Sequence, residues 1–74
     1  MTDPLDMRGT LCPEPVLAAR RALAALPPGA VLEMLADDPV AELDITHFCT
    51  RTGHSLLSVT RRDGVFRFRI RRAA

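Results

Sequence analysis

The 74-residue chain has no tryptophan, only three phenylalanines and only two cysteines. It also lacks tyrosine and lysine, so every basic residue is arginine. Two cysteines cannot build the disulfide framework of a small secreted domain. The start, "MTDPLDM", is acidic and lacks the basic and apolar regions of a secretory leader. Both thiols are therefore expected to be free and the protein cytoplasmic. No apolar run approaches the roughly 18 residues needed to cross a bilayer, so no direct membrane contact is expected. The cysteines do not form Cys-x-x-Cys; Pro15 stands where the second thiol would be. That argues against a dithiol oxidoreductase, which needs a resolving cysteine. Cys12, His47, Cys49 and His54 match no zinc-ligand spacing, so neither metal nor cofactor is expected.

With 47% hydrophobic and 26% charged residues, the composition is that of a globular protein, long enough for one small domain over residues 1–74. A chain of this size buries only about 60% of its unfolded surface, which favours a thin core of one sheet covered on one side by helices. Charge is unevenly placed. Residues 1–60 carry four Arg and eight acids, whereas residues 61–74 carry six Arg and one Asp.

Periodicity gives the order β-α-β-α-β-β. "PLDMRG" (4–9) alternates as a first strand. A helix from about Glu14 to Leu26 carries an apolar stripe of Val16, Ala19, Leu23 and Leu26, and "PPG" ends it. "AVLEMLA" (30–36) reads as a strand inside a sheet. A second helix has Asp38 as N-cap, Pro39 in its first position and Gly53 as its stop, with Ala41, Ile45, Phe48 and Cys49 turned inward. "HSLLSVT" (54–60) and "VFRFRIR" (65–71) form a hairpin about Asp63-Gly64. In the last strand Phe66, Phe68 and Ile70 face one way and Arg67, Arg69 and Arg71 the other. The fold class is α+β, a two-layer sandwich with both helices on the Phe face. Its first two strands are parallel, which brings Cys12 and Asp38 together beyond their C-terminal ends.

The stretch "GTLCPEPVLAARRALAAL" (9–26) carries the chemistry. With Cys12 as N-cap and Pro13 and Pro15 in the first turn, the Glu14 N–H is left as a directed donor to sulfur. The stiff prolines fix where that sulfur points. The positive helix end lowers a thiol pKa, while the Glu14 and Asp38 carboxylates raise it; the two oppose each other, the sequence does not say which wins, and at most a modest depression follows. With no neighbouring thiol to expel it, a sulfur atom held as a persulfide on Cys12 would survive until another protein's nucleophile took it. Arg20 and Arg21 could steer a partner electrostatically, and Asp38 could form part of the rim that partners touch. Cys49 reads as a core cysteine, His47 as a solvated helix residue and His54 as a partner for a local backbone group.

On these residues the chain resembles the TusA/SirA-like sulfur carriers along nearly its whole length. The shared features are "LDMRGTLCPEPV" with Cys-Pro-x-Pro at 12–15, "PPG", "ADDP" at 36–39, "DI" at 44–45, "FC" at 48–49 and "H-x-L" at 54–56. The resemblance implies a mixed four-stranded sheet in the order 1-2-4-3, with strand 4 antiparallel to the rest. It also implies that Cys12 accepts persulfide sulfur from a cysteine desulfurase or other donor and passes it to an acceptor protein, for example in tRNA 2-thiouridine synthesis. Relatives serve molybdenum-cofactor synthesis or sulfur oxidation. Transient docking of this kind requires only a monomer. Where such members have Pro and a small residue after "DI", this chain has Thr46 and His47. The competing reading is a small RNA- or protein-binding module that uses the C-terminal Arg face, with Cys12 incidental. Phe66 and Phe68 face away from those arginines, which disfavours base stacking and leaves a solvated sheet face as the plain reading.

Overall fold

A computed structural model describes residues 3–74. The elements are β1 (Leu5–Asp6), α1 (Glu14–Ala24), β2 (Val31–Ala36), α2 (Ala41–Thr52), β3 (Ser55–Arg62) and β4 (Val65–Arg71). The sheet order is β1-β2-β4-β3, with β1 parallel to β2 and β4 antiparallel to both of its neighbours. This is the α+β architecture and strand order expected.

Alternation in β4 decides the layering. Phe66, Phe68 and Ile70 are buried and Arg67, Arg69 and Arg71 exposed. The buried set packs with Met34 and Ala36 of β2, Ala19 and Leu23 of α1, and Ala41, Ile45, Phe48 and Cys49 of α2. Both helices therefore cover the Phe face, and the other face carries the arginines. An antiparallel sheet tolerates one solvated face in this way. On that face Glu33 accepts a hydrogen bond from Arg67 at 2.9 Å and lies 3.8 Å from Arg69, which offsets part of the positive charge.

Several boundaries differ from the sequence expectation. β1 has two residues rather than six, because the chain turns at Arg8-Gly9 after the Met7 N–H reaches the Leu35 carbonyl (2.9 Å). α1 stops at Ala24, since Leu26 precedes a proline and is disfavoured from helical geometry. β3 runs on to Arg62, so the hairpin turn shrinks to Asp63 and Gly64, with φ of 51° and 78°. Two positive φ values are what a twist-matched two-residue turn requires. Leu57 falls at a register shift in β3 and is 37% exposed.

Candidate functional site

The parallel β1–β2 pair sends two loops out at the same end of the sheet, and side chains of the second loop tie down the first. The Asp37 carboxylate accepts the Gly9 N–H at 3.0 Å. Asp38, 7% exposed, accepts the Cys12 N–H at 2.7 Å and the Val40 N–H at 3.2 Å. Cys12 and Asp38 are thus neighbours as expected, but the contact is a brace on the Cys12 backbone.

The local helix starts correct two expectations. Pro13, not Cys12, occupies the N-cap position of α1, and Glu14 opens the helix, with Pro15 second. The Glu14 N–H bonds to the Leu11 carbonyl at 2.9 Å and is not directed at sulfur. A turn over Leu11–Glu14 takes up the donor that the sequence reading left free, and Cys12 lies within that turn. The Cys12–Pro13 peptide bond is cis. Likewise Asp38 does not cap α2. Val40 holds that position, and Asp38 makes a local turn just before it.

Cys12 is exposed and free, at the edge of an open groove of about 570 Å³ between α1 and α2. Val16 and Arg20 contribute from α1; Leu43, Asp44, His47, Phe48 and Arg51 from α2. Of the residues expected at the site, Pro13 and Arg20 line this groove. Glu14 and Arg21 line a separate recess with Met7, Thr10 and Leu17. Pro15 is buried. Leu43 on the groove is 71% exposed; Leu11, next to Cys12, and Val40, before α2, are 69% and 45% exposed, and the helical stripes indicated none of them.

The thiol pKa lies above its ordinary value, not below it. Asp44, which lines the groove together with Cys12, is the largest cause; desolvation adds to it, then the charges of Asp44 and Asp38. Asp44 went unrecognised because it lies 32 positions further along the chain, and only the packing of α2 beside the Cys12 loop joins the two. Its one sequence signal was the "DI" pair.

Cys49 is buried in the core, and burial pushes its thiol pKa up. The two histidines differ. His47 is exposed but lines the groove. His54 accepts the Ala73 N–H through Nδ1 at 2.9 Å, so its backbone partner is distant in sequence rather than local. Cys12 is exposed and Cys49 faces inward, and among the described residues no group of three or more His, Cys, Asp or Glu is placed to hold a metal ion.

The sequence model of the family described as Sulfurtransferase TusA matches residues 4–72. A protein of Neisseria meningitidis serogroup A, named as a candidate sulfur carrier, is 46% identical over 65 residues, 88% of each chain. The sulfur carrier protein TusA of Pseudomonas syringae pv. syringae is 38% identical over 68 residues, 92% of this chain and 81% of that one. The crystal structure of a SirA-like protein from Desulfitobacterium hafniense superposes with a TM-score of 0.84 at 27% identity, covering 96% of this chain and 97% of the other. The protein whose single exposed thiol stands in this groove belongs to the TusA sulfurtransferase family.

Proposed function

We propose that the protein is a persulfide carrier whose working atom is Cys12 Sγ. The Cys12 sulfur attacks the outer sulfur of a donor persulfide. A new S–S bond forms as the donor's S–S bond breaks. The donor sulfur leaves with the electron pair and takes up the proton that Cys12 gives away. An acceptor thiol then attacks the outer sulfur, and Cys12 returns to the thiol state. Each step moves one sulfur atom with no net oxidation, so no cofactor is required. The donor is a cysteine desulfurase or another persulfide-bearing protein of the cytoplasm. The acceptor is a downstream relay protein, with tRNA 2-thiouridine synthesis as one destination.

The observation that carries this reading is the pairing of one exposed cysteine with one buried in the core. No second thiol is placed to resolve the persulfide and discharge it. Pro13 and the Asp38 brace hold the Cys12 backbone, Arg20 and Arg51 offer positive charge in the groove, and exposed Leu43 on its wall offers a partner something to cover. The competing reading through the Arg face is weaker, because Glu33 engages Arg67 and Arg69 and no aromatic ring shares that face.

Incubation with a cysteine desulfurase and free cysteine, followed by intact-protein mass spectrometry, tests the proposal. One reducible extra sulfur atom is expected on the protein and on Cys49→Ala, and none on Cys12→Ser. An unloaded wild type, or sulfur retained by Cys12→Ser, overturns it.

A further inference from the structure

Asp44 is part of the groove that receives Cys12, yet the sulfur-transfer steps above do not use it. It lies in the first turn of α2, where its N–H bonds to the Val40 carbonyl at 3.0 Å. Its side chain is only partly exposed. Among the described residues it forms no ion pair, although Arg20 of α1 and Arg51 of α2 line the same groove. The groups facing Cys12 are therefore Arg20 from α1, Asp44, His47 and Arg51 from α2, and Asp38 from the loop before it. Asp38 spends both carboxylate oxygens on backbone N–H groups. Asp44 is the remaining carboxylate in the groove that Cys12 lines.

A family of sulfur carriers would be served by a thiolate-stabilising site at loading. A negative charge beside the sulfur does the opposite, and its consequences follow from exchange chemistry. A thiol with a raised pKa holds less thiolate at neutral pH, so it reacts slowly with alkylating agents and oxidants. The same thiol is also a poorer leaving group when an incoming thiolate attacks the outer sulfur of its persulfide. Both effects act in one direction, towards a bare thiol that stays inert and a loaded sulfur that stays put.

We infer that Asp44 is the retention residue of this carrier: its unpaired carboxylate, set in the groove beside Cys12, guards the empty thiol and slows loss of the carried sulfur to small thiols. This rests on the persulfide reading above. In the discharge step, a glutathione thiolate attacks the outer sulfur of the protonated persulfide Cys12–S–SH. The new S–S bond forms on glutathione, the S–S bond at Cys12 breaks, and its electron pair settles on Cys12 Sγ, which takes a proton from solvent. Asp44 opposes that build-up of charge. A docking protein that brought a cation to Asp44 would relieve the opposition, which makes release selective for the proper acceptor.

Asp44→Asn removes the charge and keeps the shape. Removing one nearby charge lowers a pKa by about one unit. A one-unit fall raises the thiolate fraction about tenfold, and the accompanying loss of nucleophilicity takes back about threefold. Iodoacetamide alkylation of Cys12, read at that peptide by mass spectrometry, should therefore quicken about threefold at pH 7, with its pH midpoint shifted down. Protein preloaded with sulfur from glutathione persulfide should discharge to glutathione about threefold faster in Asp44→Asn than in wild type. Circular dichroism reports whether the variant is folded. A second measurement needs no variant: the alkylation midpoint of Cys12 in the wild type should lie above that of a peptide spanning residues 9–17. An unchanged midpoint and unchanged discharge in folded Asp44→Asn overturn the inference, as does a wild-type midpoint at or below the peptide's. If neither protein takes up sulfur, the persulfide reading fails and the retention role with it. The alkylation midpoint then still shows whether Asp44 acts on the thiol.

Discussion

Cys12 and Asp38 divide one task between them. The cysteine presents sulfur to the outside, and the aspartate, almost wholly buried, holds the cysteine's backbone by accepting its N–H at 2.7 Å. Removing the carboxylate leaves the Cys12 and Val40 N–H groups without their partners. A buried donor left unpaired costs about 1–3 kcal/mol. Asp38→Ala should therefore lower the unfolding free energy by about 1–3 kcal/mol, read as a lower urea midpoint with the slope unchanged. It should also slow sulfur loading, because the loop that aims the thiol loses its tie. The proximity of these two residues could be read from the chain, since each follows a parallel strand and precedes a helix. What Asp38 does there could not, because a carboxylate before a helix looks the same whether it caps that helix or braces a neighbouring loop.

Among the elements, the last hairpin was the most legible and the start of α1 the least. β4 matches its expected bounds residue for residue, because strict alternation of Phe or Ile with Arg admits one assignment. The turn that closes the hairpin needs a left-handed residue at Gly64 (φ 78°). Gly64→Ala should cost about 1 kcal/mol in thermal or urea unfolding. It should leave sulfur loading unchanged, since the turn joins β3 to β4 and takes no part in the groove. α1 opens at Glu14 as the sequence suggests, but its cap is Pro13 rather than Cys12, because two prolines near a cysteine satisfy several cap geometries on paper. The hydrogen bond from Glu14 to the Leu11 carbonyl selects one of them.

The whole molecule is two layers thick, 19 Å along its shortest axis, with a single core. At 0.05–0.15 kcal/mol per residue, a chain of this length has a total stability of about 4–11 kcal/mol. Phe68 is fully buried on the central strand β4. Truncating a buried phenylalanine costs about 3–5 kcal/mol, a large share of that total. Phe68→Ala should therefore melt at least about 12 °C below the wild type, or show no cooperative transition at all by circular dichroism. The same thinness explains the sheet's Arg face. With too few residues for a third layer, one side of the sheet stays in water and carries charge, partly offset by Glu33.

The chain by itself determined the element order, the face on which the helices pack, the burial of Cys49 and the exposure of Cys12. Those features follow from local periodicity and from turn residues, which act over a few positions. Only the tertiary structure decided what surrounds the Cys12 sulfur. Arg20 comes from α1 and Leu43, Asp44 and His47 from α2, and nothing in the sequence joins those α2 residues to Cys12. The direction of the Cys12 pKa shift depends on that assembly, because the effect of a charge falls with distance in space rather than along the sequence.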